Sequence, residues 1–456
     1  MGTIIFLLTF YRPVVKRIIN RFIRLILTET YSKNIWEIFS SGRRYNPFNI
    51  VQNALRSEQK EAIVRSMGTP HKLVKFDGLM FLPAQLAILP TKEEYKIKTD
   101  TVIGPRANRP LKLPIPLMVA GMGVGTALSE SMKLAIAKGT AKIKTATNTG
   151  EGPFLEEERK LADKLVVQYG RNSWAKEPEV FQQADMVEIV AGTGAMAGTP
   201  YTVPAKRLSE KLRRKMGLSS DEDGRILARV PQVDRPEDWQ RLVDHLREIT
   251  DGVPIGIKII PAHIEKDLEW ALKAEVDFIT VDGAQAGTKE SAPILQDDMG
   301  LPTIRGLVRA VNFLEEKGAR DRVSVIVSGG LFTPGEYLKA IALGADAVAL
   351  GTVILHAAMH TQVTKVLPWE PPPQLAWYEG KASHQLDIEK AARNIANLLN
   401  ASVEEMKIAV TCIGKKGIME LDREDLVALD PETARLTGVT LAYEREVPSK
   451  IKKIIR

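Results

Sequence analysis

The stretch Thr145 to Phe154, TATNTGEGPF, closes a run of small and β-branched residues with a polar turn that sets an amide, Asn148, and a carboxylate, Glu151, among glycines. Glycine admits positive φ and close approach by another group, while Asn and Glu can orient a polar ligand and move a proton. A bland surface turn has the same composition, so the rest of the chain must decide. Lys258, in GIKII, is a second candidate, because an ammonium on an apolar strand is costly unless it is used or escapes to solvent. The third is VSGGLFTPGEYLKAIALGADAVALGT, which sets Ser328, Gly329 and Gly330 at one strand end and Gly351 and Thr352 at the next, each before a helix. Backbone N–H groups in such turns hold phosphate, aided by the helix N-terminus.

The elements that must position these residues alternate from Lys112 onward. Strands are expected at 114–122, 140–147, 185–192, 253–260, 276–283, 322–330 and 345–352, with helices at Glu156–Tyr169, Pro236–Thr250, Glu265–Ala274, Ile304–Lys317 and Pro334–Leu343. An eighth strand is placed between Arg225 and Val233, in RILARVPQV. Continuous apolar strands separated by helices make parallel βαβ units. Nearly every strand end carries glycine, whereas a doubly wound sheet would show one glycine-rich loop near its start, and no G-x-G-x-x-G or P-loop motif stands in a strand-to-helix context. The pattern predicts a TIM (β/α)8 barrel with its site at the C-terminal face, a phosphate between the loops after strands 7 and 8, an irregular N-terminal extension and a helical C-terminal tail. If the phosphate is that of FMN, the ring lies across the barrel mouth. Gly121, Met122 and Gly123 would then let it approach the backbone, and Lys258 would set a cation near N1 and the C2 carbonyl. The expected segments are 1–30, a basic amphipathic helix; 31–111, a lead; 112–365, the barrel; and 366–456, the tail.

Composition narrows the classes. With 44% hydrophobic and 26% charged residues among 456, the chain is globular. Its 63 basic residues against 56 acidic ones are spread out, apart from Lys16 to Arg24 and the C-terminal KIKKIIR, and no zinc-finger or RNA-binding signature is present, which argues against nucleic acid. The single cysteine, Cys412, permits no internal disulfide and no thiolate-held cluster, and fits a reducing, cytoplasmic setting. The N-terminal apolar run is shorter than the roughly 20 residues that a bilayer requires. After Pro13, Val15, Ile18, Ile19, Phe22 and Ile26 recur at helical spacing with Arg17, Arg21 and Arg24 opposite. Such a helix either lies on an anionic membrane as a peripheral contact or packs on protein, including a second subunit of a homo-oligomer. His356 and His360 stand i, i+4 in HAAMH, without the glutamate of a zincin, and read as ordinary helix histidines, so no metal site is expected.

The segments GMGVGTALSESMKLAIAKG, NTGEG, VDGAQAGT (with Gly283, Gly287 and Thr288), LPTIRGLVRAV, RDRVSVIVSGGLFTPGEYLKAIALGADAVALGT and NLLNASVEEM, in this order over about residues 100 to 445, resemble the FMN-binding glutamate synthase family. The lead NPFNIVQ…FLPAQLAILP is similar to its short, stand-alone members. The resemblance implies an oxidoreductase of the CH–NH2 class with FMN as cofactor. In that family an imine formed from ammonia and 2-oxoglutarate takes a hydride from reduced FMN to become glutamate, and the electrons come from a donor or reductase partner. It also implies that Asn148 and Glu151 wall the flavin site, with Glu151 handling the proton and Lys258 serving the flavin.

Departures from the family bear on substrate. The N-terminal cysteine glutaminase and three cluster cysteines of full-length members have no counterpart, so ammonia is expected from elsewhere and no iron-sulfur cluster is expected. In EIVAGTGAMAGTP, taken as the third strand and its loop, Val190, Thr193 and Met196 replace a Lys, a Gln and a second Lys that handle substrate and flavin in the family. Either Arg106, Lys142, Lys144 or Lys289 substitutes, or the substrate is another imine or amino acid, or the chain is a non-catalytic flavin electron-transfer subunit.

Overall fold

Runs of β-branched and aliphatic residues form strands because such side chains pack well on a pleat buried on both faces. The computed structural model describes residues 2–30, 33–59 and 61–444, with side chains from residue 11 onward. Eight runs are parallel: β1 (Leu117–Val119), β2 (Ala146–Asn148), β3 (Lys164–Tyr169), β4 (Met186–Val190), β5 (Ile255–Ile259), β6 (Phe278–Asp282), β7 (Ser324–Ser328) and β8 (Ala347–Leu350). They pair in the order β1-β8-β7-β6-β5-β4-β3-β2, so sequence neighbours are spatial neighbours and the ring is the expected (β/α)8 barrel. β1 and β2 stand at the two ends of this ladder. Their join is made by a side chain: the Thr145 hydroxyl donates to the Leu117 carbonyl at 2.5 Å.

The eighth strand is not where the sequence suggested. Glu156–Tyr169 is not one helix: the helix ends at Leu161, Ala162 turns extended, and KLVVQY forms β3. Phe154, Leu161 and Leu165 mimic helical spacing, but the β-branched pair Val166-Val167 and an inward Gln168 suit a strand. Gly224–Ile226, from the segment proposed for the barrel, pairs antiparallel with Tyr201–Val203 in a separate ribbon after β4. The run 140–147 also shifts, since the helix Glu130–Ala141 occupies its start and β2 begins at Ala146. EIVAG therefore ends the fourth strand, not the third.

Alternation along the strands fills the barrel in layers. Met118, Ala146, Val166, Met186, Phe278, Ile326 and Ala347 pack together with Ile103, Leu111 and Leu113 from the hairpin Thr101–Ile103/Leu111–Leu113. That hairpin closes the N-terminal end: the Gly104 amide donates to Ser324 Oγ at 3.1 Å and the Thr101 hydroxyl to the Asp346 carbonyl at 2.8 Å. Two residues further along β2, β3, β4 and β6 the inward positions are polar: Asn148, Gln168, Glu188 and Thr280.

The chain divides into two compact units, residues 1–64 and 65–456. In the first, the helix Gly2–Thr28 runs through Pro13, and Glu37–Arg44 and Pro47–Glu58 follow. In the second, the lead strand Leu79–Phe81 pairs with Leu426–Ala428 of the tail. The long helix Ile388–Ile413 packs on Glu130–Ala141 at Gly139, where a Cβ would meet the Ala392 carbonyl at 2.9 Å. Among the described residues no helix is long and apolar enough to cross a membrane. The basic C-terminal KIKKIIR lies outside the described residues.

Candidate functional site

The polar layer opens at the C-terminal end of the strands. Glu188, on β4, is buried and accepts from Gln168 Nε2 at 2.6 Å, Thr280 Oγ1 at 2.7 Å and Asn148 Nδ2 at 3.2 Å, which draws β2, β3, β4 and β6 onto one carboxylate. A buried carboxylate is tolerable when its lone pairs are used in this way. Lys258 of β5 is 4% exposed. Its Nζ lies 3.7 Å from Asp282 Oδ2. Burial alone would lower its pKa, but the charges of Asp282, Glu188 and Glu151 outweigh that and hold it above the ordinary lysine value. Asp282 also accepts the Gly194 amide at 2.9 Å and the Ser328 hydroxyl at 2.5 Å.

The Asn-Thr-Gly-Glu-Gly loop owes its glycines to a neighbouring loop. Asn148 ends β2, and its Oδ1 accepts the Gly150 amide at 2.9 Å. Gly150 has φ +67°, and a Cβ there would fall 2.2 Å from the Gly123 nitrogen; one on Gly152 would fall 2.5 Å from the Val124 carbonyl. The loops after β1 and β2 thus touch backbone to backbone. Behind Asn148, the buried Lys133 donates to its carbonyl at 2.7 Å and pairs with Glu158 at 2.9 Å. Burial pushes the Glu158 pKa up, and Lys133 opposes the rise.

Glu151 meets β3 at its end. Its Oε1 accepts the Arg171 amide at 3.2 Å and lies 3.7 Å from Arg171 Nε, while its carbonyl accepts Trp174 Nε1 at 3.1 Å. Gly170 permits the approach, since a Cβ there would come 3.3 Å from Glu151 Oε1. Arg171 is fully buried, and among the described residues its Nε and Nη2 find no hydrogen-bond acceptor. Burial first, then the Glu151 charge, raises the Tyr201 pKa. The half-buried Lys176 donates to the Gly170 carbonyl at 2.7 Å and sits 3.6 Å from the centre of the Tyr169 ring. Burial lowers its pKa to about 7 against the pull of Glu151 and Glu177.

The glycine pairs after β7 and β8 form a second feature of the same rim. Gly329 and Gly330 take φ +107° and +73°, and a Cβ on Gly351 would meet nothing within 4 Å. Among the described residues the amides of Gly329, Gly330 and Gly351 find no acceptor in the protein. The helix Thr352–Met359 starts beside them, without a side-chain cap. The Ser328 hydroxyl is committed to Asp282. Of the glycines after β6, Gly283 makes room for Thr303, whose Oγ1 would lie 2.0 Å from an added Cβ, and Gly287 lies against Thr352. The Thr288 carbonyl accepts the Met67 amide at 2.9 Å. A Cβ on Gly121 would strike the Gln168 amide at 2.3 Å, and Gly123 approaches Gly152, with Met122 partly buried between them.

The structure thus gathers every residue singled out from the sequence for cofactor or catalysis at one end of the barrel. The four proposed replacement cations divide differently. Arg106 lies in the hairpin at the opposite end, and Lys142 and Lys144 precede β2 at that end too. Lys289 follows β6 at the correct end but pairs with Glu379 at 3.4 Å. Val190 is fully buried and stands opposite Lys258 in the β4–β5 register. Thr193 and Met196 lie in a tight loop, where the Thr193 and Ala197 amides and carbonyls bond each other. The cation that sequence reasoning missed is Arg171, just past the end of β3, together with Gln168 on that strand. Reading 156–169 as a helix hid Gln168 and, with it, the strand end that Arg171 follows. Glu188 was missed although a lone acid within DMVEIVAG carries the same signal that singled out Lys258.

The fold resembles a mutant flavocytochrome b2 with pyruvate bound, with a TM-score of 0.52 at 16% identity over 86% of this chain and 85% of that one. A "Glutamate synthase large subunit-like protein" of Rhizobium meliloti (strain 1021) is 34% identical over 411 residues, 85% of this chain and 92% of the relative. An "Archaeal-type glutamate synthase [NADPH]" of Thermotoga maritima is 30% identical over 362 residues, 77% of this chain and 70% of the relative. Residues 49–416 match the conserved region in glutamate synthase, and the chain belongs to the glutamate synthase family.

Proposed function

We propose that the chain is an FMN-dependent oxidoreductase of glutamate synthase type, which reduces the imine formed from ammonia and 2-oxoglutarate to glutamate. The observation that carries this reading is the convergence, on one barrel rim, of acceptor-free amides at Gly329, Gly330 and Gly351 with the buried Lys258 and the Glu151–Arg171 pair. The residues fit FMN: the space at Gly351 and the free amides suit a phosphate, and Lys258 suits the electron-rich side of a flavin. When bound, FMN supplies the two-electron chemistry that reduces a carbon–nitrogen double bond, recharged by a donor or reductase partner.

The chain's own residues supply binding, orientation and proton handling. Gln168 and Asn148, fixed by Glu188, present a preorganised amide floor, so little ordering remains to be done when ligand arrives. Glu151, oriented by the Arg171 amide and guanidinium, is the group for ammonium and proton exchange. Lys258 stays protonated, so it acts as a fixed positive charge and not as a base.

The test is anaerobic mixing of chemically reduced protein with ammonia and 2-oxoglutarate. Flavin reoxidation coupled to stoichiometric glutamate supports the reading, and a protein that takes up no FMN on reconstitution overturns it. A second reading, an FMN barrel acting on another imine or amino acid, is favoured by one observation: Val190 and Met196 bring no charge to the site. Glutamate formation far slower than reduction of an alternative imine would select it. A flavin that only passes electrons, with no imine reduced, would mark an electron-transfer subunit.

A further inference from the structure

The chain's charge is not shared evenly between its two units. Residues 1–64 hold 10 of the 63 basic and 4 of the 56 acidic side chains, a surplus of six, which leaves a surplus of one for the rest. The same segment holds an unusual density of uncovered apolar side chains. On the helix Gly2–Thr28, Tyr11, Val14, Ile18, Phe22 and Leu25 recur at three- and four-residue spacing, and Ile18 is 63% and Phe22 48% exposed. Arg17, Arg21 and Arg24, at i, i+4 and i+7, line the flank of this stripe, all exposed. The helix Glu37–Arg44 buries none of its residues and ends in Arg43 and Arg44, with Ile38 and Phe39 exposed. Phe48, Val51 and Leu55 form a further exposed stripe on Pro47–Glu58.

Exposed apolar surface of this extent marks an interaction site. Charge selects the occupant. A second copy would bring six like charges against six, which opposes association, and no described helix can cross a bilayer. A surface of anionic lipid headgroups satisfies both features: the apolar stripe enters the acyl boundary, while the arginines reach the headgroups and their stems cover apolar area. We propose that residues 11–30 and 33–58 form a peripheral docking surface for an anionic membrane, which holds the barrel at the bilayer without spanning it. This rests on the N-terminal unit alone and is independent of the activity proposed above.

The test uses the full chain with vesicles of phosphatidylcholine, with or without phosphatidylglycerol. Co-sedimentation is expected with phosphatidylglycerol only, and it should weaken as salt shortens the reach of the charges. Each basic residue near an anionic surface changes partitioning about fivefold. The triple charge reversal R17E/R21E/R24E should therefore lower it about a hundredfold or more. Ile18→Ser with Phe22→Ser should also abolish binding, and circular dichroism and elution volume of both variants should match the parent. Three results would overturn the proposal: no co-sedimentation with phosphatidylglycerol, equal co-sedimentation with phosphatidylcholine alone, or a parent dimer that the Ile18/Phe22 variant dissociates while vesicle binding is unchanged. The last would assign the stripe to a second copy.

Discussion

Arg171 holds Glu151 twice, through its backbone amide at 3.2 Å and across 3.7 Å from its guanidinium Nε, so one residue of the loop after β3 sets the position of the acid on the β2 loop. Glu151→Gln keeps the shape and removes the charge. It should slow turnover by roughly 10² or more with flavin content unchanged, as stopped-flow reoxidation would report. Unchanged rates would remove Glu151 from proton handling.

Arg171→Leu keeps the backbone amide on Glu151 but removes the guanidinium that faces it in a dry setting. Breaking a buried pair this way costs about 3–5 kcal/mol, to be read from urea unfolding midpoints. A loss under about 1 kcal/mol would mean the pair is weaker than its burial implies.

Two glycines should respond oppositely to alanine. At Gly351 an added Cβ meets nothing, so Gly351→Ala should leave the stability of flavin-free protein within about 0.5 kcal/mol while weakening FMN binding, as measured by fluorescence titration. At Gly150 the Cβ would fall 2.2 Å from the Gly123 nitrogen at positive φ, so Gly150→Ala should destabilise the flavin-free protein itself.

Lys176 gives stability a pH slope. Its folded pKa of about 7 lies below the ordinary 10.5, so between these values the unfolded chain binds more protons, and stability rises with pH across that window. Lys176→Met should flatten this rise. Parallel curves for parent and variant between those limits would contradict it.

Restoring a cation at Val190 should not simply restore a family-like site. The lysine of Val190→Lys would stand on the same face as its register partner Lys258, in a buried setting. Like charges there should lower the Lys258 pKa and cost about 2 kcal/mol or more. The rate with 2-oxoglutarate should change more than for a surface substitution. Equal stability, with tighter dicarboxylate binding, would show that the site accepts both charges.

Much of this was legible in the chain itself. Strands such as VDFITVDG and RVSVIVSGG are apolar, short and bounded by glycine, and both the ring and its working end follow from them. Lys258 stood out because a charge on an apolar strand has few explanations. β3 did not, because LADKLVVQY serves a helical and a strand pattern equally, and pairing with Ala146–Asn148 on β2 and Met186–Ile189 on β4 decides between them. With β3 went Gln168 and Arg171. The loop glycines were read as room for a ligand, whereas at Gly150 and Gly152 they make room for another loop. That contact joins residues 123 and 150, which no local pattern relates.

The join between β1 and β2 has a mechanical consequence. Seven of the eight boundaries in the ring are stitched by backbone ladders, and this one by the Thr145 hydroxyl and the glycine-to-glycine contact above it. A hoop with one lightly sewn seam breathes there first, so amide exchange at Ala146–Asn148 should outpace that at β6 and β7, which have ladders on both sides. Glu151 and Met122 stand on the two lips of that seam, so the loops proposed to wall the flavin border the one boundary of the ring that has no backbone ladder.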